Sequence, residues 1–255
     1  MKSVTIILIN LYLSILTVNA QIINFPDENF KAALIAQGLD TNKDGNLQKA
    51  EVINIKKLHV NNANISSVVG IKNFTNLEDF AFLNNNLTTV DLEGMRNLKY
   101  VYGINNKITQ LKLKGCFSLQ VIFMDQNELS TLDLSGLMEL KDIRINVNKL
   151  QLIDLSKKPK LENVQLFRNQ IAKFKADDSY EIKVLDLSRN LLTEIDLRPF
   201  SNLEEADLNG NPLRKINVEG LRKLEKLYLE PPVFTTSFIN QLNTCGLVSL
   251  KEYKW

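Results

Sequence analysis

Between Asp40 and Glu51, oxygen-bearing side chains recur at set places of a twelve-residue stretch: Asp40 at place one, Asn42 at three, Asp44 at five, Gln48 at nine and Glu51 at twelve. Gly45 stands at place six, where such a stretch must turn sharply. The chemistry this spacing suits is the binding of a hard divalent cation. Carboxylate and carboxamide oxygens at alternate places curl around one centre. The backbone carbonyl of Asn46 adds another ligand, Gln48 can hold a water, and Glu51 can offer two oxygens at once. Calcium is the ion that such a crowd of oxygens accepts, and the plain alternative is a polar turn that binds nothing.

No other set of residues assembles into a reactive centre. The chain has one histidine, His59, and no pair of carboxylates in an evident cleft, so Ser-His-Asp and metal-hydrolase arrangements cannot be built and no enzymatic activity is expected. Cys116 and Cys245 lack the partners a zinc site needs, lie too far apart along the chain for an expected disulfide, and read as small apolar groups. A formal charge of +2 gives no reason to expect nucleic acid. Asp91, Asp133, Asp154 and Asp196 recur in similar frames, but Lys112 and Lys175 interrupt them, so they read as a solvated face and not as further cation sites. Lys157, Lys158 and Lys160 around Pro159 read as a solvated basic turn. Asn64, Asn73 and Asn86 stand in glycosylation sequons, which matter only in a host that glycosylates.

The loop resembles a single EF-hand or dockerin-type calcium loop. A full dockerin needs a second loop and the chain has none, so the resemblance implies a lone calcium-stabilised element. A short helix precedes it. Pro26, Asp27 and Glu28 suit a first turn, Phe30, Ala33 and Leu34 share a face, and Gly38 stops the helix. Helix and loop together read as an N-terminal cap.

The need for a cap comes from the repeats on its C-terminal side. From Asn76 to Arg222 the pattern Leu-x-x-Leu-x-Leu-x-x-Asn-x-Leu-x-x-Leu-x-Leu restarts at Leu77, Leu98, Leu119, Leu140, Leu161, Ile182 and Leu203, every 21 residues without insertion. Its ninth place is Asn85, Asn106, Asn127, Asn148, Asn169, Asn190 and Asn211. One such unit cannot bury its apolar face alone, so units must stack and share both packing and backbone hydrogen bonds. The asparagines then read as a buried ladder serving backbone groups where each turn of chain bends inward. These residues resemble the leucine-rich-repeat superfamily, in the 21-residue form of secreted bacterial proteins similar to internalins. The implied fold class is a repeat solenoid, a horseshoe of stacked β-strand coils with little helix. Gly103, Ala176 and Ala206 stand where large apolar residues are expected and predict local looseness. An atypical first coil uses Ile55, Leu58, Val60, Ile65 and Val68, with Ala63 at the asparagine place; Pro231 and Pro232 are expected to stop the ladder at the other end.

The domain plan is therefore a signal peptide over residues 1–20, a cap over 21–54, the solenoid over 55–230 and a C-terminal cap over 231–255. Lys2, the apolar run from Val4 to Val18 and the small residues before Gln21 predict a cleaved export signal. No cysteine follows that run to carry a lipid, no other segment is apolar enough to span a bilayer, and the destination is extracellular, periplasmic or the cell surface. The tail is expected to hold a short helix around Phe238 to Leu242 and a strand around Lys251.

Alternate strand residues face outward. Running coil to coil, they are Lys57, Asp79, Tyr100, Val121, Asp142, Asn163, Val184, Glu205 and Lys226 in one column, and His59, Ala81, Tyr102, Phe123, Arg144, Gln165, Asp186, Asp207 and Tyr228 in the next. Tyr100, Tyr102, Val121 and Phe123 form an apolar block that Leu83 and Ile104 extend, and later coils turn polar and then acidic. Exposed aromatic side chains that packing does not require point to a partner surface. The expected function is a secreted, non-enzymatic module that binds a protein on this block; a glycan or cell-surface adhesion role is the alternative.

Overall fold

The computed structural model describes residues 21–230 together with 241, 242, 245 and 249–252. The predicted signal peptide and most of the predicted C-terminal cap lie outside them. Within them the chain is a succession of short strands and turns, repeated coil by coil. The central strand residues Leu58, Phe80, Val101, Ile122, Ile143, Val164, Leu185, Ala206 and Leu227 pair in parallel register from one coil to the next. They belong to one sheet of ten strands, whose last member, Ser249–Glu252, pairs with Lys226–Leu229. The sheet thus continues past the prolines, through the strand expected around Lys251. Gln241 and Leu242, the described part of the expected tail helix, are helical.

The opposite side of the solenoid is closed less regularly. Outer strands pair only in twos: Thr89–Asp91 with Gln110–Lys112, Leu152–Asp154 with Lys173–Lys175, and Glu194–Asp196 with Lys215–Asn217. An unbroken inner ladder and an interrupted outer one are what coils produce when they fan around a horseshoe. One interruption opens a groove of 620 Å³ lined by Phe174, Ala176, Ile195 and Phe200, so Ala176 sits where packing is indeed loose. Gly103 is the reverse. A Cβ there would lie 2.3 Å from a ring carbon of Phe82 and 2.8 Å from Sδ of Met124, so the neighbouring coils already fill the space. Ala206 is fully buried at the centre of its strand.

Every ladder asparagine serves backbone on two coils. Asn148 donates through Nδ2 to Met124 O at 2.9 Å on the coil before and to Asn146 O at 3.1 Å on its own, while its Oδ1 accepts from Leu129 N at 3.0 Å. The residue ahead of each asparagine carries a positive φ, 54° even at the β-branched Val147, a conformation held because the bend it makes is the one the asparagine fills. At the start, Asn85 Oδ1 accepts from Ala63 N and Ile65 N, so the coil lacking its own asparagine uses the next coil's.

The sequence pattern misses one inward column. Met95, Cys116, Leu137, Lys158, Ser179, Phe200 and Leu221, one per coil in the turn leading back to the inner strand, are all buried. Lys158 is therefore not part of a solvated basic turn: it is 3% exposed, and its Nζ donates to Ser156 O at 2.9 Å. Desolvation holds its pKa below the usual lysine value, against the attraction of Asp154 and Asp133. Ser179 answers from the next coil, donating to Leu155 O at 2.7 Å and accepting from Lys158 N.

Candidate functional site

Helix α1, Glu28–Ala36, forms where the sequence places one; it buries Phe30 and Leu34 and leaves Ala33 partly covered. Asp27 caps it, accepting from Phe30 N through Oδ1 at 2.9 Å, and its other oxygen accepts from Ser66 N at 2.7 Å and Ser67 N at 2.9 Å on the first coil. One carboxylate thus ties helix to solenoid. Burial alone would raise its pKa, but these amides prevail and lower it.

The loop follows α1 and runs into a one-turn helix, α2, Lys49–Val52. Gly45 takes its turn at φ 79°. Asp40 accepts from Asp44 N at 3.2 Å and Gly45 N at 2.9 Å, Asn42 Oδ1 accepts from Asp44 N at 2.9 Å, and Asp44 Oδ1 accepts from Asn46 N at 2.7 Å. Asp44 Oδ2 and Gln48 Oε1 both converge on Asn42 Nδ2, at 3.0 and 3.1 Å. Two oxygens therefore converge on one electropositive group, while the amide oxygen of Asn42 is held by Asp44 N. Glu51 is engaged differently: Oε1 accepts from Thr41 N and Thr41 Oγ1, each at 2.8 Å, and Oε2 accepts from Gln48 N at 2.9 Å. Backbone and side-chain hydrogen bonds lower the pKa of Asp44, and for Glu51 they outweigh burial with the same result. Among the described residues no three Asp, Glu, His or Cys side chains converge as a metal cage of their own; the donors gathered here are carboxylates, carboxamides and the place of Asn46.

The loop does not stand alone in the way its sequence suggests. Ile22 bridges antiparallel to Gln48, with Ile23 N donating to Leu47 O at 2.8 Å and Lys49 N to Gln21 O at 3.0 Å. The first described residues of the chain give the loop the short strand partner that a second loop would otherwise provide.

The second site is the inner sheet's open face. The two outward columns lie in the expected register, with Tyr100 beside Val121 and Tyr102 beside Phe123. Leu83, Tyr100, Tyr102, Ile104, Val121 and Phe123 are each half-buried, and none is among the strongly exposed apolar side chains. They cover one another: the rings of Tyr102 and Phe123 meet edge to face at 5.4 Å, and the guanidinium of Arg144 lies 4.5 Å above the Phe123 ring while its Nε donates to Asp125 Oδ2 at 2.6 Å. Desolvation, then Asp79, Tyr100 and Asp142, push the Tyr102 hydroxyl above its ordinary pKa. Ala81, outward by register, is buried. His59 is exposed and does have a neighbour, its Nε2 lying 3.1 Å from Asp79 Oδ1.

The next column along this face explains why Leu83 and Ile104 stand out. At three of its polar places a backbone amide of the following coil is served: Asn61 Oδ1 accepts from Leu83 N, Asp125 Oδ1 from Asn146 N, and Asn146 Oδ1 from Phe167 N, whereas Ser188 bonds Asp186 of its own coil and Asn209 Oδ1 has no hydrogen-bond partner among the described residues. Leu83 and Ile104 beside the tyrosines, and Phe167 farther along, have no such oxygen to offer. Farther on, Asp186 and Asp207 sit side by side on adjacent strands. Burial first, then Asp186, Glu205 and Glu230, push Asp207 up to about 6 against the amide of Asn209.

The interrupted aspartate column has a structural role. Asp91, Asp133, Asp154 and Asp196 each accept, through Oδ1, from the backbone amide two residues on, turning the chain out of the outer strand. No helix of the described residues is long and apolar enough to cross a membrane.

No protein-family model matches the chain, and no curated protein does. Among solved structures it is similar to a chain of the LRIM1/APL1C complex, with a TM-score of 0.55 and 21% identity over 77% of this chain and 46% of that one. It is also similar to the functional domain of InlJ from Listeria monocytogenes, described as including a cysteine ladder (TM-score 0.49, 23% identity, 82% of this chain and 56% of that one). A third is the internalin InlF of the same organism (TM-score 0.48, 17% identity, 90% and 91%). The chain spans about half the length of the first and second of these. At such identities the likeness is one of fold, and that fold is the leucine-rich-repeat solenoid built above.

Proposed function

We propose that this chain is an exported, non-enzymatic binding module that takes a protein partner on the open face of its inner sheet, with a calcium-stabilised N-terminal cap. The observation that carries the reading is the block of Tyr100, Tyr102, Val121 and Phe123, which stands outside a core already filled by Leu98, Val101, Leu119, Ile122 and Met124. Beside it, Leu83 and Ile104 replace side chains that elsewhere satisfy backbone amides. A sheet that sets apolar side chains beside an aromatic block offers surface for a contact there. One of the similar structures, LRIM1/APL1C, is a complex, which is the same general use of this fold.

Calcium would be held by Asp40, Asn42, Asp44, the carbonyl of Asn46, Gln48 and Glu51, and would supply charge neutralisation that stiffens the loop. Asn163 and Gln165, two strands from Phe123, favour a glycan as the second reading, because they offer hydrogen bonds within reach of the same rings. The experiment is a Tyr102→Ser, Phe123→Ser double variant, compared with the parent for partner capture, glycan-array binding and melting temperature. Loss of protein capture with melting preserved is expected. Loss of array binding in its place selects the glycan, and a large melting loss with capture intact means that the rings only brace the sheet.

A further inference from the structure

The largest exposed apolar side chains do not lie on the open face of the sheet. Among the described residues, Phe117 is 55% exposed, Met138 53% and Tyr180 50%. The three occupy one place of the repeat, and Pro159, exposed at the same place of the intervening coil, completes a row on four successive coils. The row runs along the flank made by the turns between outer and inner strands. Residues at one place on successive coils touch there: Lys160 Nζ meets Glu139 Oε2 at 2.6 Å, and Lys223 Nζ meets Asn202 Oδ1 at 2.6 Å, each pair 21 residues apart.

The charges beside the row have an order. Three places before it, coil by coil, stand Glu93, Lys114, Ser135, Ser156, Asp177 and Arg198, and one place after it stand Glu139 and Lys160 on the two middle coils. Read from either end, Glu93 answers Arg198, Lys114 answers Asp177, and the Glu139–Lys160 pair answers itself, while Arg96, Lys157, Asp178 and Glu181 face the neutral Ser201, Gly136, Gly115 and Ser118, and in these columns no charge faces its like. The apolar row answers itself, Phe117 to Tyr180 and Met138 to Pro159. A two-fold axis lying across the row between Met138 and Pro159 makes these same-column, reverse-order pairs the contacts between two copies, since an isologous interface joins each residue to its counterpart across the axis. Lys114, Asp177 and Glu93 are all exposed.

We propose that this flank is the interface of an antiparallel homodimer: a second copy of the chain covers Phe117, Met138, Pro159 and Tyr180, and Lys114 of each copy pairs with Asp177 of the other. The occupant follows from charge. A different protein would have to reproduce the alternation of the row, whereas a second copy carries it already. The inner sheet stays open in such a dimer, so partner binding and self-association use different surfaces.

The test is sedimentation velocity of the mature chain from about 1 to about 500 μM, the range in which an interface of below-standard size is expected to associate. A concentration-dependent monomer–dimer equilibrium is expected, weakened at least about tenfold by Phe117→Ser with Met138→Ser, roughly the loss that one well-buried side chain accounts for. Lys114→Asp and Asp177→Lys, each alone, put two like-charge contacts across the axis and should leave monomers with unchanged melting temperature. Mixing these two variants restores both contacts, so a heterodimer should reappear. A parent that stays monomeric throughout overturns the proposal, as does a dimer that Lys114→Asp leaves intact or a mixture that fails to reassociate.

Discussion

The seven ladder asparagines are chemically alike, and the first six are all buried; only the last, Asn211, stands in a more open place. Asn148 is 8% exposed, while Asn211 is only part-buried. Replacing Asn148 by leucine leaves the buried Leu129 N without a partner and takes one of two donors from Met124 O, which keeps Asn127 Nδ2, and from Asn146 O, which keeps Gln126 N; it should cost about 1 to 3 kcal/mol. Asn211→Leu should cost clearly less, because its hydrogen bonds are only part-buried; equal losses in urea denaturation would contradict a weaker last rung. Lys158 is the opposite kind of residue, a cation in a column that is otherwise Met95, Cys116, Leu137, Ser179, Phe200 and Leu221. A lysine whose folded pKa is depressed is destabilised in its charged form at all pH values below that pKa. Lys158→Met should therefore raise the melting temperature at neutral pH, and the gain should shrink toward about pH 10 as the parent's lysine loses its proton. A fall in melting temperature at neutral pH would mean that its bond to Ser156 outweighs desolvation.

At the scale of elements, the cap is a small assembly whose parts depend on one another. Asp27 joins α1 to the first coil, the strand partner at Ile22 and Ile23 holds the loop, and Glu51 closes the loop against Thr41 and Gln48. If the loop takes calcium, binding should be weak, with Kd on the order of 10⁻⁴ to 10⁻³ M, the range of extracellular modules. An ion held only by the folded state stabilises it by mass action, so millimolar calcium should raise the melting temperature of the parent. Glu51→Gln should abolish the increment. Titration calorimetry showing no heat at millimolar calcium would reduce the loop to a hydrogen-bonded turn. Because Asp27 and Glu51 both have lowered pKa values, the stability they contribute is present above the ordinary carboxylate range and is lost as pH falls through their folded values.

For the molecule as a whole, the open sheet face changes from apolar to acidic along its length, and Asp186 and Asp207 stand side by side at the acidic end. A carboxylate raised to about 6 works against the folded state once ionised. From about pH 4, near its unfolded pKa, to about pH 6 the folded form holds the proton longer, so this group lowers stability as pH rises through that window and by a constant amount above it. Asp207→Asn removes the effect. The melting temperature of the variant minus that of the parent should grow between those two pH values and then level off, and a difference independent of pH would show that Asp207 is solvated.

The period of 21, the choice of Asn85 through Asn211 as the ladder and the register of the inner strands were all legible in the sequence, because each follows from residue type repeated at fixed spacing. The half-burial of the Tyr102 and Phe123 block was not, since it depends on rings from adjacent coils and on Arg144 folding over them. The inward column of Met95, Cys116, Leu137 and Lys158 was hidden for a related reason. Whether the place of Lys158 points in or out is set by the path of a turn with no periodic signature of its own. Gly103 reads as a gap in one coil and is filled by Phe82 of another, and the loop's strand partner comes from Ile22 and Ile23, which no spacing rule connects to Leu47 and Gln48. Spacing along one chain determines which residues form a column; only the stacked coils decide which columns face the core, which face water, and which are left bare along the flank that holds Phe117, Met138 and Tyr180.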